Sequence, residues 1–120
     1  MKVAILGAGF MGSTHARAFQ RVEGVEIAAV YAHSNKRGGP LADELGTIWT
    51  DNIEQILNDP TIDAVDNCLP TPEHRPLTEA ALAAGKHVLL EKPIALNDPD
   101  AAGLVAAAEA SDKVFMMAPV

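Results

Sequence analysis

Short aliphatic runs alternate with alanine-rich stretches along the whole chain. Six of the runs read as strands: Lys2–Leu6, Glu26–Val30, Thr47–Trp49, Ala64–Leu69, His87–Leu90 and Val114–Met117. Near-continuous apolar strands of this kind are buried on both faces, as in parallel sheets, and the stretches between them supply covering helices. The pattern predicts an α/β fold, a doubly wound parallel sheet of about six strands, in a single domain over residues 1–120.

Start and stop signals place the helices. One opens after a glycine turn and runs over Gly12–Val22. Asp51 is positioned to cap the next, with Glu54 reaching back from three residues on. Thr71 followed by Pro72, and Asp98 followed by Pro99, repeat a cap-then-proline device, and Gly85 is placed to close a helix in a left-handed conformation. Gly38-Gly39-Pro40 interrupts the pattern after the second strand and predicts that the helix there is delayed to Pro40–Leu45. The sequence carries no linker, low-complexity tract or internal repeat.

Hydrophobic residues make up 48% of the chain, yet no apolar run approaches the length of a membrane span. The start lacks the features of a secretory signal, so the chain is expected to be cytoplasmic. Cys68 is the single cysteine, which excludes an internal disulfide, and no metal framework is expected. A net charge of −7 argues against nucleic-acid or anionic-membrane surfaces. Any anionic ligand must then be held by local dipoles.

Gly7-Ala8-Gly9-Phe10-Met11-Gly12 supplies such dipoles. It is a G-x-G-x-x-G run that follows an apolar strand and opens a helix. Gly7 permits the tight turn, Gly9 lets a pyrophosphate reach the backbone, and Gly12 lets helix and strand pack closely. Free N–H groups, those of Phe10 and Met11 among them, then face the phosphates. The arrangement is that of a Rossmann-type dinucleotide site, although flavin and S-adenosylmethionine sites share the loop. About 20 residues on, an acid would hold the ribose hydroxyls of NAD; here the position is Ala32. The following His33, Ser34, Lys36 and Arg37 offer donors and no carboxylate, which suits a 2′-phosphate and predicts NADP(H) over NAD(H).

Three stretches give the chain a more specific likeness. They are the glycine loop with Ser13-Thr14-His15, Cys68-Leu69-Pro70-Thr71-Pro72-Glu73-His74, and Ala84-Gly85-Lys86-His87-Val88-Leu89-Leu90-Glu91-Lys92-Pro93-Ile94-Ala95. With them the chain resembles the N-terminal domain of the Gfo/Idh/MocA oxidoreductases over essentially its whole length. The resemblance implies hydride transfer between NAD(P) and a secondary alcohol of a sugar or polyol. It also implies a C-terminal substrate domain that is absent from this chain, so that the chain alone binds cofactor without turnover; homo-oligomerisation is left open. Lys92 is implied as the catalytic residue, and Glu91 as its positioning partner or a cofactor contact. Leu69, Pro70, Thr71 and His74 are implied to lie beside the pyrophosphate and nicotinamide ribose, though capping alone would explain Thr71. His15 reads as a packing residue. Val114-Phe115-Met116-Met117-Ala118-Pro119-Val120 resembles the strand that leads into a second domain. A stand-alone dinucleotide sensor remains the alternative, and the length of the native reading frame would separate the two.

Asp66-Asn67 has no explanation in the sequence. Each buried polar group left unpaired costs about 1–3 kcal/mol, so a central strand carrying both needs partners.

Overall fold

The computed structural model of the chain describes residues 1–118. Six parallel strands form one sheet: β1 (Lys2–Leu6), β2 (Glu26–Tyr31), β3 (Trp49–Thr50), β4 (Ala64–Asn67), β5 (His87–Leu90) and β6 (Phe115–Met117). Their order across the sheet is β3-β2-β1-β4-β5-β6. The doubly wound expectation therefore holds, and the order reverses between β1 and β4. That reversal opens a crevice at the carboxyl edge, where ligands of such sheets bind.

Alternation along β1 divides the core between two faces. Val3 and Ile5 pack with Ala16, Val30, Leu41 and Ala42 under α1 (Phe10–Gln20) and α2 (Asn35–Leu45). Ala4 and Leu6 pack with Leu82, Val88, Leu90 and Leu104 under α4 (His74–Ala83) and α5 (Asp98–Ala110). A four-residue α3 (Glu54–Leu57) contributes Ile56 to the second cluster. No helix among the described residues is long and apolar enough to cross a membrane.

Several helix ends differ from the sequence expectation. α2 starts at Asn35 and runs through Pro40, forfeiting one internal hydrogen bond, because the two glycines serve packing. A Cβ on Gly38 would lie 2.2 Å from the Trp49 ring and 2.9 Å from Ala32 Cβ, so glycine lets the helix settle onto the sheet there. Asp51 caps nothing; Asn52 Oδ1 accepts the Glu54 N–H instead, at 3.1 Å. Asn97, not Asp98, caps α5 by accepting from the Asp100 N–H. Thr71 begins a 3₁₀ turn (Thr71–Glu73) with no side-chain cap, so β4 ends two residues early and the chain turns at once. Gly85 behaves as expected, with φ of +80° and the paired bonds Gly85 N–H to Leu82 and Lys86 N–H to Ala81 closing α4. Pro119 and Val120, the end of the strand expected to lead onward, lie outside the described residues.

Helix propensity alone would make Gly38→Ala stabilising by about 0.5–1 kcal/mol, whereas overpacking against Trp49 costs about 1–3 kcal/mol. The collision wins, and urea denaturation of Gly38→Ala is expected to give a net loss of stability. A net gain would mean that Trp49 moves freely aside.

Candidate functional site: a glycine-lined cleft at the carboxyl edge

The three glycines of the loop have three different reasons to be glycine. Gly7 has φ of +104°, and a Cβ there would come within 2.7 Å of the Cys68 carbonyl oxygen. At Gly12 the Cβ would lie 1.9 Å from the Gly7 carbonyl oxygen. Both are steric requirements of the fold. Gly9 is the opposite case: an added Cβ meets nothing within 4 Å. Its side faces open space, which is what the approach of a ligand to the backbone requires.

α1 begins immediately after Gly9 with no side-chain cap and no acidic residue in its first turn. The Ser13 N–H is the first to bond back, to the Gly9 carbonyl at 3.0 Å, and the Ser13 hydroxyl bonds the same carbonyl. The first-turn amides of Phe10, Met11 and Gly12 are thus left to a ligand. α5 is built otherwise, with Asn97 and two acids at its start. A helix N-terminus lacking its own anion is a fit for pyrophosphate.

A cleft of about 400 Å³ adjoins this loop. Gly7, Ala8 and Gly9 form one wall, and Ala32, His33, Ser34 and Arg37 form the second. Cys68, Leu69 and Pro70 close it from β4. His33 Nε2 lies 2.6 Å from Glu73 Oε1, tying the end of β2 to the 3₁₀ turn. A larger cleft, about 870 Å³, lies at the amino edge among Lys2, Gln20, Glu26, Thr47 and Asp59. It has neither a glycine loop nor a helix N-terminus, so the smaller cleft is the better dinucleotide site.

The sequence-derived residues do not all gather at one place. Gly7, Gly9, Ala32, His33, Ser34, Arg37, Leu69 and Pro70 come together around the cleft. Phe10, 82% exposed, and Met11 stand at the start of α1, and Thr71 is half-buried at the turn after β4. His74 lies behind the site. It is 1% exposed, with Nδ1 2.7 Å from the Pro93 carbonyl oxygen and Nε2 2.7 Å from that of Leu69, so its ring is spent on the protein's own backbone. Lys92 is exposed and makes no hydrogen bond or ion pair among the described residues. Its neighbour Glu91 is buried.

The unexplained Asp66-Asn67 pair resolves into two networks on opposite faces of β4. Asn67 Nδ2 donates to Thr78 Oγ1 at 3.2 Å and its Oδ1 accepts the Leu69 N–H at 3.3 Å, which fixes the turn beside the cleft. Asp66 faces α1, where its Oδ2 lies 2.7 Å from His15 Nδ1 and its Oδ1 accepts from the Cys68 thiol at 3.2 Å. Burial raises the Asp66 carboxyl above its ordinary range, against the lowering effect of His15. Burial, with the Asp66 charge second, pushes the Cys68 thiol far up, so it remains an un-ionised donor. Donor atoms of His15, Cys68 and Glu91 lie within 4.8 Å of one another. Sequence reasoning took His15 for packing. The signal that pointed elsewhere was a carboxylate in a buried central strand, but its partner stands 51 residues away.

Residues 1–118 match the oxidoreductase family GFO_IDH_MocA, NAD-binding Rossmann fold. The chain belongs to this family. It is 33% identical over 109 residues to inositol 2-dehydrogenase 1 of Saccharopolyspora erythraea, covering 88% of this chain and 32% of that protein. The structure of GenD2 from gentamicin A biosynthesis, in complex with NAD, superposes with a TM-score of 0.93 at 32% identity, over 98% of this chain and 34% of that one. Biliverdin reductase from Synechocystis sp. PCC 6803, in complex with biliverdin and NADP+, gives a TM-score of 0.90 at 29% identity, over 97% and 37%. The chain spans about a third of the length of the curated relatives it matches. It is a nicotinamide-dinucleotide-binding domain of this oxidoreductase family.

The split among the glycines gives a direct test. Gly9→Val is expected to leave the domain folded, within about 0.5 kcal/mol of the parent as for a tolerated surface change, while abolishing dinucleotide binding by calorimetry. Gly12→Val is expected to disrupt folding itself. Undiminished binding in Gly9→Val would contradict this location of the site.

Proposed function

We propose that the chain is the cofactor-holding half of an oxidoreductase that moves hydride between a nicotinamide dinucleotide and a secondary alcohol carbon of a sugar or cyclitol. The observation that carries this reading is a shared edge. β1, β4 and β5 are neighbours whose last residues, Leu6, Asn67 and Leu90, are in register. The glycine loop, the Leu69-Pro70-Thr71 turn and Glu91-Lys92-Pro93 therefore leave the sheet side by side. The inositol 2-dehydrogenase relative supports a polyol substrate.

Within this reading the first turn of α1 holds the pyrophosphate. Ser34 and Arg37 hold the adenosine ribose, and the nicotinamide supplies hydride exchange when bound. Lys92 is the chain's chemical contribution. Its ammonium has no competing partner among the described residues, so Nζ can donate a hydrogen bond to the substrate oxygen, stabilising charge there and holding the proton that the oxygen gains or loses. Recognition of the rest of the substrate, and a second acid/base group, fall to the remainder of the full-length enzyme.

NADP(H) is the favoured cofactor in this reading. Ala32 supplies no carboxylate to repel a 2′-phosphate, and Arg37, exposed at the cleft, forms no ion pair among the described residues. Charged hydrogen bonds of about 1.5–3 kcal/mol correspond to roughly a 10–100-fold preference over NAD(H). Calorimetry on the parent chain and Arg37→Gln checks this. Arg37→Gln should lose most of the preference, and equal affinities in the parent would refute it.

Lys92→Met in the full-length enzyme is expected to lower kcat by about 10²–10⁴-fold with cofactor affinity nearly unchanged. Lys92→Arg should rescue poorly, since a guanidinium does not release a proton near neutral pH. Near-normal kcat combined with weakened cofactor binding would move Lys92 from chemistry to cofactor positioning.

A further inference from the structure

Lys92 is exposed and flanked by two anchored residues. On its far side the Pro93 carbonyl oxygen lies 2.7 Å from His74 Nδ1, and His74 is fixed in turn through Leu69. On its near side Glu91 is joined to β4 through its N–H, which donates to the Asn67 carbonyl at 3.0 Å. The Glu91 carboxylate then turns inward, and one of its oxygens, Oε2, is buried without a hydrogen-bond partner among the described residues.

His15 Nε2 lies 3.2 Å from that same oxygen. The two atoms are in close polar contact, while the alignment falls short of a hydrogen bond. His15 is held from its other side by Asp66, whose side chain is fully buried and which also accepts from Cys68. The imidazole therefore joins β4 to the residue preceding Lys92, and it does so from α1, the helix whose N-terminus faces the cleft. Neither carboxylate has a lysine or arginine partner among the described residues.

We propose that His15 is a positioning residue, which bridges Asp66 and Glu91 and so fixes the Glu91-Lys92 turn and the place of the Lys92 ammonium. The inference rests on the reading of Lys92 given above, but it makes a structural claim that can be tested separately. Glu91 Oε2 has no other side chain among the described residues to set its position, so removing the His15 contact releases the turn while leaving the glycine loop, held by its own backbone contacts, in place.

His15→Gln isolates the bridge, because one side-chain amide can still donate to Asp66 but cannot also reach Glu91. In the 120-residue chain, hydrogen–deuterium exchange over residues 91–95 is expected to accelerate at least about tenfold. Exchange over residues 7–12 and the dissociation constant for NADP(H) should stay within about twofold. Glu91→Gln should reproduce the faster exchange, and it carries the same test if His15→Gln fails to fold. In the full-length enzyme each variant should lower kcat by about 10–100-fold at nearly constant KM for cofactor. The double variant should be no worse than the poorer single one, as expected of residues acting through one contact. Unchanged exchange over 91–95, additive losses of kcat, or a parallel loss of cofactor affinity would each overturn the proposal. A silent Lys92→Met would instead refute the reading of Lys92 and leave the exchange result standing.

Discussion

Gly7 lies so close to Cys68 that no side chain fits between them. With a Cβ position 2.7 Å from the Cys68 carbonyl oxygen, the turn after β1 is pressed against the exit of β4, and Gly12 is pressed against Gly7 in its turn. These two backbone contacts fix the axis of α1 relative to the sheet. They aim the uncapped amides of Phe10, Met11 and Gly12 over the crevice where strand order reverses. They also bring the second turn of α1 over β4, close enough for His15 to meet Asp66. A larger side chain at either glycine would disturb the anion cradle and the buried polar cluster together, whereas Gly9 bears on the cradle alone.

Electrostatics then accounts for an acidic chain that binds a polyanion. The net charge of −7 works against anion binding at long range, but screening confines that effect to about 10 Å at ordinary ionic strength. Local groups decide the matter. Around the cleft the backbone supplies N–H groups, and Arg37 supplies a charge without a paired acid among the described residues. Beneath the site Asp66, Cys68, His15 and Glu91 form a compact polar unit against the sheet. Its cost is offset by mutual pairing, since the thiol and the imidazole each satisfy an Asp66 oxygen.

Much of this was legible in the sequence, and for physical reasons. Strand positions follow from burial on two faces, which leaves continuous apolar runs such as Val3–Leu6, and Gly7 and Gly12 follow from backbone sterics that a side chain would violate. What could not be read was non-local. Gly38-Gly39-Pro40 looks like a helix breaker until Trp49 is seen lying on Gly38, and that contact spans 11 positions of chain. Thr71 looks like a cap until the chain turns at Asn67, held by its amide, so that the hydroxyl is not needed there. His74 matches a cofactor-site motif, yet its ring lies behind the motif and supports Pro93. In each case local propensity named the residue correctly and tertiary contact set its role.

The central claim is that one edge of the sheet holds the dinucleotide, with the glycine loop at its pyrophosphate and Lys92 beside its nicotinamide end. Titration of NADP(H) into the isotopically labelled chain, followed by backbone amide NMR, tests it most directly. The account predicts the largest shifts at Gly9, Phe10, Met11 and Gly12, with further shifts at Ser34, Arg37, Leu69 and Glu91-Lys92, and none beyond background around Lys2, Glu26 and Thr47. Shifts centred on that amino-edge cleft, or a glycine loop that stays silent at saturation, would contradict it.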